Sequence, residues 1–131
     1  MKTILTVLPR CFAVLGSVIG FLLGGFDGYL YTLLGLILID YLTGLVLAAA
    51  KRQVSSQIGF VGIMKKMLIL VMVALGHLLD VNLLGGGAAL RTAVIFFYAA
   101  NEGISITENL AALGFPMPQQ LKRVLKQLSE D

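Results

Sequence analysis

The sequence predicts an all-α integral membrane protein with about four transmembrane helices. Three observations carry that expectation. Hydrophobic residues fill 58% of the 131 positions and charged residues only 13%, where a soluble domain carries about 25% charged. The apolar residues gather into four blocks, each near the ~20 residues that a helix needs to cross hydrocarbon. Lysine and arginine fall in alternate connections between those blocks, as orientation signals do. A soluble enzyme domain, a disordered chain and a disulfide scaffold are excluded together, the last because Cys11 is the single cysteine. The net charge of +3 does not point to nucleic acid, since the basic residues sit in short stretches beside apolar blocks.

The elements follow in order. Met1 to Arg10 carries Lys2 and Arg10, and Pro9 is expected to break a helix running through it. A basic start before an apolar run is also the form of a secretory signal, but no clear small-residue cleavage site follows, so the segment is kept in the mature chain. The first span is expected at 11–26, closed by Asp27-Gly28 as a tight turn. The second is expected at 29–50. Residues 51–66 read as a basic cytoplasmic loop anchored by Lys51, Arg52, Lys65 and Lys66. The third span is expected at 67–84, ended by Gly85-Gly86-Gly87, and the fourth at 88–107. The tail, 115–131, holds Pro116, Pro118 and a short amphipathic helix from Gln119 to Leu128. Its Leu121, Val124, Leu125 and Leu128 share one face, with Lys122, Arg123 and Lys126 largely on the other. The whole chain, 1–131, reads as a single membrane domain.

The connections around Asp27 and around the triple glycine hold no lysine or arginine. Four crossings with both termini in the cytoplasm satisfy that distribution. The fourth is the weakest. A charged residue at a helix centre costs about 2.5–3.5 kcal/mol, whereas an isoleucine or phenylalanine returns only about 0.3–0.6. Arg91, Asn101 and Glu102 therefore require protein or water on the polar side of this helix. The alternative is a helix lying on the membrane surface.

At 100° per residue, Arg91, Tyr98, Glu102 and Asn109 fall near one line, with Ser105 beside it. Asn101 and Glu108 complete the polar set. Such a stripe either lines water in an oligomer or packs against polar groups inside a bundle. Asp40 and Asp80 are intramembrane acids. Asp40 serves as helix glue or as a sensor of membrane state, and Asp80 lies where it can pair with Arg91 across the glycine turn. Gly16, Gly20 and Gly24 form a GxxxGxxxG row, and Gly44 with Ala48 repeats the spacing, which lets helices approach closely in lipid. Lys65 and Lys66 can meet anionic lipid headgroups, although an anchoring role suffices. No metal-ligand pattern, cofactor motif or catalytic site is expected, and His77 stands alone.

These residues also fall into a recognisable order. Asp40-Tyr41-x-Thr43-Gly44 comes first, then Ser55-Ser56-x-x-Gly59-x-x-Gly62-x-x-Lys65-Lys66. Arg91-Thr92 leads to Phe97-Tyr98-x-x-Asn101-Glu102-x-x-Ser105-x-x-Glu108-Asn109, followed by Gly114-x-Pro116-x-Pro118 and a short basic helix. The pattern, from about Gly35 to Leu128, resembles the toxin-secretion/phage-lysis holin family of Gram-positive phages and clostridia. That resemblance implies a lysis protein rather than an enzyme. It would assemble with itself in the lipid of the host cytoplasmic membrane and open lesions at a set time. The partner released would be an endolysin or, for some relatives, a secreted toxin. The residues alone leave a rival: a small four-helix proton-coupled transporter or ion channel, with Asp40 or Glu102 exchanging protons. A plain structural membrane protein is a second.

Overall fold

Asp27 starts the second of five helices. Its side chain accepts the Leu30 N–H at 2.9 Å, capping α2. In the computed structural model, which describes residues 1–130, the helices are α1 (Lys2–Leu23), α2 (Gly28–Ala50), α3 (Ser56–Asn82), α4 (Ala89–Ala112) and α5 (Gln119–Glu130). No strand occurs among the described residues. Asp131, the last residue of the expected tail, lies outside them. Three helices, α1, α2 and α3, are long and apolar enough to cross a membrane by length and composition.

Several boundaries differ from expectation, among them the end of α4, which runs on to Ala112 rather than 107. Helix α1 starts at Lys2 and runs through Pro9, so the expected start at Cys11 is corrected. Proline removes one backbone donor, and a long apolar helix can continue past the missing rung. The helix also stops at Leu23, three residues before Phe26, because Gly24 adopts a left-handed cap with φ 87°. Helix α3 starts at Ser56 rather than Met67, so the basic loop shrinks to residues 51–55 and takes Lys65 and Lys66 into the helix. Ser55 is the cap, accepting the Ile58 N–H at 3.1 Å.

Helix α4 is the hub. It packs against α2, α3 and α5, while α1 packs along α3 and reaches α4 through Leu23 at its C-terminal end. Asp27 meets Arg91 and Asp40 meets Asn109, so α2 and α4 run parallel. Asp80 meets Leu90 and Lys66 meets Glu102, so α3 runs against both. Gly76 permits a close crossing of α3 and α4: a Cβ there would lie 3.2 Å from the Arg91 backbone.

The inward stripes follow helical spacing. Leu30, Leu33 and Asp40 face in from α2, and Ile69, Val73, Gly76 and Asp80 from α3. Arg91, Ile95, Ala99 and Glu102 face in from α4. Leu23, Leu30, Leu33, Ile69, Val73, Ile95 and Ala99 make one apolar core. Charged residues bracket it. Arg91 and Glu102, eleven positions apart, are separated by about 16 Å along α4. The tail turns back after Gly114 (φ 91°), and α5 lies along α4 with Leu125 seated at Gly103.

Candidate functional site

The first charged layer closes the end of the core where α1, α2 and α4 meet. Arg91 is 4% exposed. Its Nε donates to the Leu23 carbonyl at 2.5 Å, and Nη2 donates to the Gly25 carbonyl at 3.0 Å. Nη1 and Nη2 also donate to the two Asp27 oxygens at 2.8 and 3.3 Å. This fork holds the α1–α2 turn against α4. Gly24 makes room for it: a Cβ there would fall 2.5 Å from Arg91 Nε and 2.7 Å from His77 Nδ1. Gly24 therefore belongs to a turn and not to a continuous small-residue row, which corrects that expectation.

Asp80, 1% exposed, takes a different partner from the one expected. Its two oxygens accept the backbone N–H groups of Leu90 and Arg91 at 3.0 and 2.9 Å. Ala88 at the start of α4 offers no capping side chain. Asp80 thus caps α4 from the neighbouring helix, its charge placed at the positive end of the α4 dipole. The Arg91 side chain pairs with Asp27 instead.

Hydrogen bonding from Arg91 holds the Asp27 carboxyl below the usual carboxylate range, against a smaller opposing effect of desolvation. A depressed folded value contributes stability that is present above the unfolded value and lost as pH falls through the folded one. Acidification to about pH 5 is therefore expected to leave this link intact. An acid limb in thermal stability should appear only below the usual carboxylate range, and Asp27→Asn should remove part of it. A variant with an unchanged acid limb would count against the link.

The second layer lies midway along the helices. Lys66 Nζ sits between Asp40 Oδ2 and Glu102 Oε2, hydrogen-bonded to both. Asp40 and Glu102 are 8% and 6% exposed. Asn109 Nδ2 donates to Asp40 Oδ1 at 3.1 Å and to Thr43 Oγ1 at 3.0 Å. Tyr41 donates to the Gly59 carbonyl at 3.4 Å. One charge comes from each of α2, α3 and α4, and with every group ionised they sum to −1. Two carboxylate oxygens on one ammonium are within about 5 Å of each other, a repulsion of about 3 kcal/mol at an effective dielectric near 20. A cavity of about 250 Å³ adjoins the cluster, lined among others by Asp40, Tyr41, Gly44, Lys66, Ser105 and Asn109.

The structure brings together most of the expected stripe. Arg91, Glu102 and Asn109 turn toward the helices packed on α4, and Tyr98 packs against the core. Asn101 and Glu108 are exposed and stand apart from both layers. Gly20 faces the Phe26 ring, Gly44 faces Asn109, and Gly16 has nothing within 4 Å of its Cβ position. Lys51, Arg52 and Lys65 are exposed, whereas Lys66 is drawn inward. Asp27 was read only as a turn residue, and its partnership with Arg91 has no local signal. Ser55 carried the signal of a helix cap three residues before Ile58.

The fold and these layers define a helical membrane protein whose buried charges are paired between helices. Among the described residues, no group of three or more His, Cys, Asp or Glu could hold a metal ion. Residues 17–130 match the Bacteriophage holin family. The chain belongs to that family and is a multi-pass protein of the cytoplasmic membrane. It is 34% identical to a protein named "Probable holin" of Bacillus phage phi105, over 79% of this chain and 76% of that one. It is 43% identical to an uncharacterized 14.9 kDa protein of the nagH 3' region in Clostridium perfringens, over 98% of each chain. A Listeria innocua protein is 43% identical over 84% of this chain and 78% of its own. No solved structure matches.

Proposed function

We propose that this protein is a phage-type holin without enzymatic activity. It crosses the host cytoplasmic membrane four times with both termini in the cytoplasm, self-assembles, and opens lesions that release an endolysin or a toxin at a timed point. The observation that carries this reading is the match of residues 17–130 to the Bacteriophage holin family. The positions of the basic residues support the four crossings, and the three inward-facing charges of α4's neighbours give that helix the polar company it needs in lipid.

Helix α1 supplies the surface for assembly. Only Gly20 and Leu23 are buried along its length. Ala13, Gly16 and Ser17 offer small residues on an open helix, which suits close packing against a second copy. In the single chain the polar side of α4 is covered by α2 and α3. Exposing Glu102, Ser105 and Asn109 to a common opening therefore requires the helices to part, which gives assembly and opening separate steps.

The half-open cavity beside Asp40 and Lys66 favours the transporter as a second reading. Expression in a bacterium together with a cytosolic muralytic enzyme lacking an export signal separates the two. The holin reading expects an abrupt fall in turbidity that requires both proteins. Continued growth with confirmed membrane insertion would reject it and favour a transporter.

A further inference from the structure

The charge balance of the second layer carries an inference beyond hole formation, and it stands whether or not that reading holds. Two buried carboxyl groups share one ammonium, so three ionised groups would leave an uncompensated negative charge among apolar helices. We propose that Asp40, Lys66 and Glu102 form a proton-binding site, with one exchangeable proton held on Glu102.

Hydrogen bonding places the proton. Asp40 receives Lys66 through one oxygen and Asn109 through the other, and Asn109 is itself tied to Thr43. Donors stabilise the ionised form of a carboxyl. Among the described residues, Glu102 receives Lys66 and no second side-chain donor. The better-solvated carboxylate is therefore Asp40, and the neutral acid is Glu102. The other groups facing the cluster are Tyr41 and Thr43 from α2 and Ser105 and Asn109 from α4, none of which adds a charge.

The cavity gives the proton a route. Asp40 and Lys66 line it and Glu102 does not, so exchange passes from Glu102 across Asp40 to water in the cavity. The cavity lining extends from Asp40 and Lys66 to Ala48, Ile58 and Gly59, toward the short turn that holds Lys51 and Arg52. Exchange is therefore one-sided, with the solution on the side of that turn. When the proton leaves, the layer gains a negative charge that α2, α3 and α4 can accommodate only by parting or by admitting water.

Infrared spectroscopy of the full chain in lipid vesicles tests this, through the carbonyl stretch of a protonated carboxyl, which is resolved from carboxylate bands. At neutral pH the wild type should show one such carboxyl per chain, shifting promptly in heavy water. Asp80, whose oxygens accept two backbone N–H groups of α4, provides the control: Asp80→Asn should leave the band unchanged. Glu102→Gln should abolish the band. Asp40→Asn should abolish it too, by leaving Lys66 and Glu102 as a balanced pair. Lys66→Gln should double it. A wild type with no protonated carboxyl at neutral pH would overturn the proposal, as would a band that survives Glu102→Gln. The wild-type measurement decides even if a variant fails to fold.

Discussion

Arg91→Met is expected to lower stability by about 2–4 kcal/mol, measured by unfolding in mixed detergent micelles. The magnitude follows from what the guanidinium leaves behind. Asp27 is 43% exposed in its side chain and can turn to water, so its charge is not stranded. The Leu23 carbonyl loses its donor in a buried position, at about 1–3 kcal/mol, and the part-buried Gly25 carbonyl loses its donor at a smaller cost. The fork also fixes where α1 leaves the bundle, because it holds the turn between α1 and α2. Arg91→Lys should recover only part of the loss, since an ammonium cannot bridge two carbonyls and a carboxylate in one plane. A methionine variant as stable as the wild type would mean that the turn is held by the glycine geometry and not by Arg91.

The position of Arg91 shows how far the sequence could be read. Its place on a polar stripe with Glu102 and Asn109 followed from helical periodicity, and all three do turn toward neighbouring helices. What periodicity cannot supply is the partner. Asp27 lies 64 positions from Arg91, and Lys66 lies 26 from Asp40 and 36 from Glu102. Such pairs depend on how helices are set side by side, which no local pattern encodes. Lys66 was obscured for a second reason. Reading Lys65 and Lys66 as one basic anchor hid the fact that Lys66 stands on the same stripe as Ile69, Val73, Gly76 and Asp80, while Lys65 points away. The cap at Ser55, by contrast, was legible, and it would have moved the start of α3 back and placed both lysines in a helix. Pro9 misled in the other direction, because a proline rule drawn from soluble helices overstates the break in an apolar one.

Lys66→Met is expected to be the most damaging single change at the second layer, at about 3–5 kcal/mol, because it leaves the buried Asp40 carboxylate without its cation, to be neutralised only by taking up a proton. The same physics predicts an asymmetry. Replacing the whole cluster by apolar residues of similar volume, with Asp40→Leu, Lys66→Met and Glu102→Met together, removes the need to desolvate any charge, and buried ion pairs replaced in that way are often neutral or stabilising by about 1–4 kcal/mol. The triple variant should therefore unfold at or above the wild-type midpoint while the single variant falls well below it. A triple variant as unstable as Lys66→Met would show that packing around the cluster, and not charge compensation, sets the loss. If the triple variant is stable, turbidity in the co-expression assay becomes informative. Unchanged lysis would make the charges a matter of helix register alone. A stable triple variant with altered lysis timing would place the charges in the opening step, since the fold has then been kept without them.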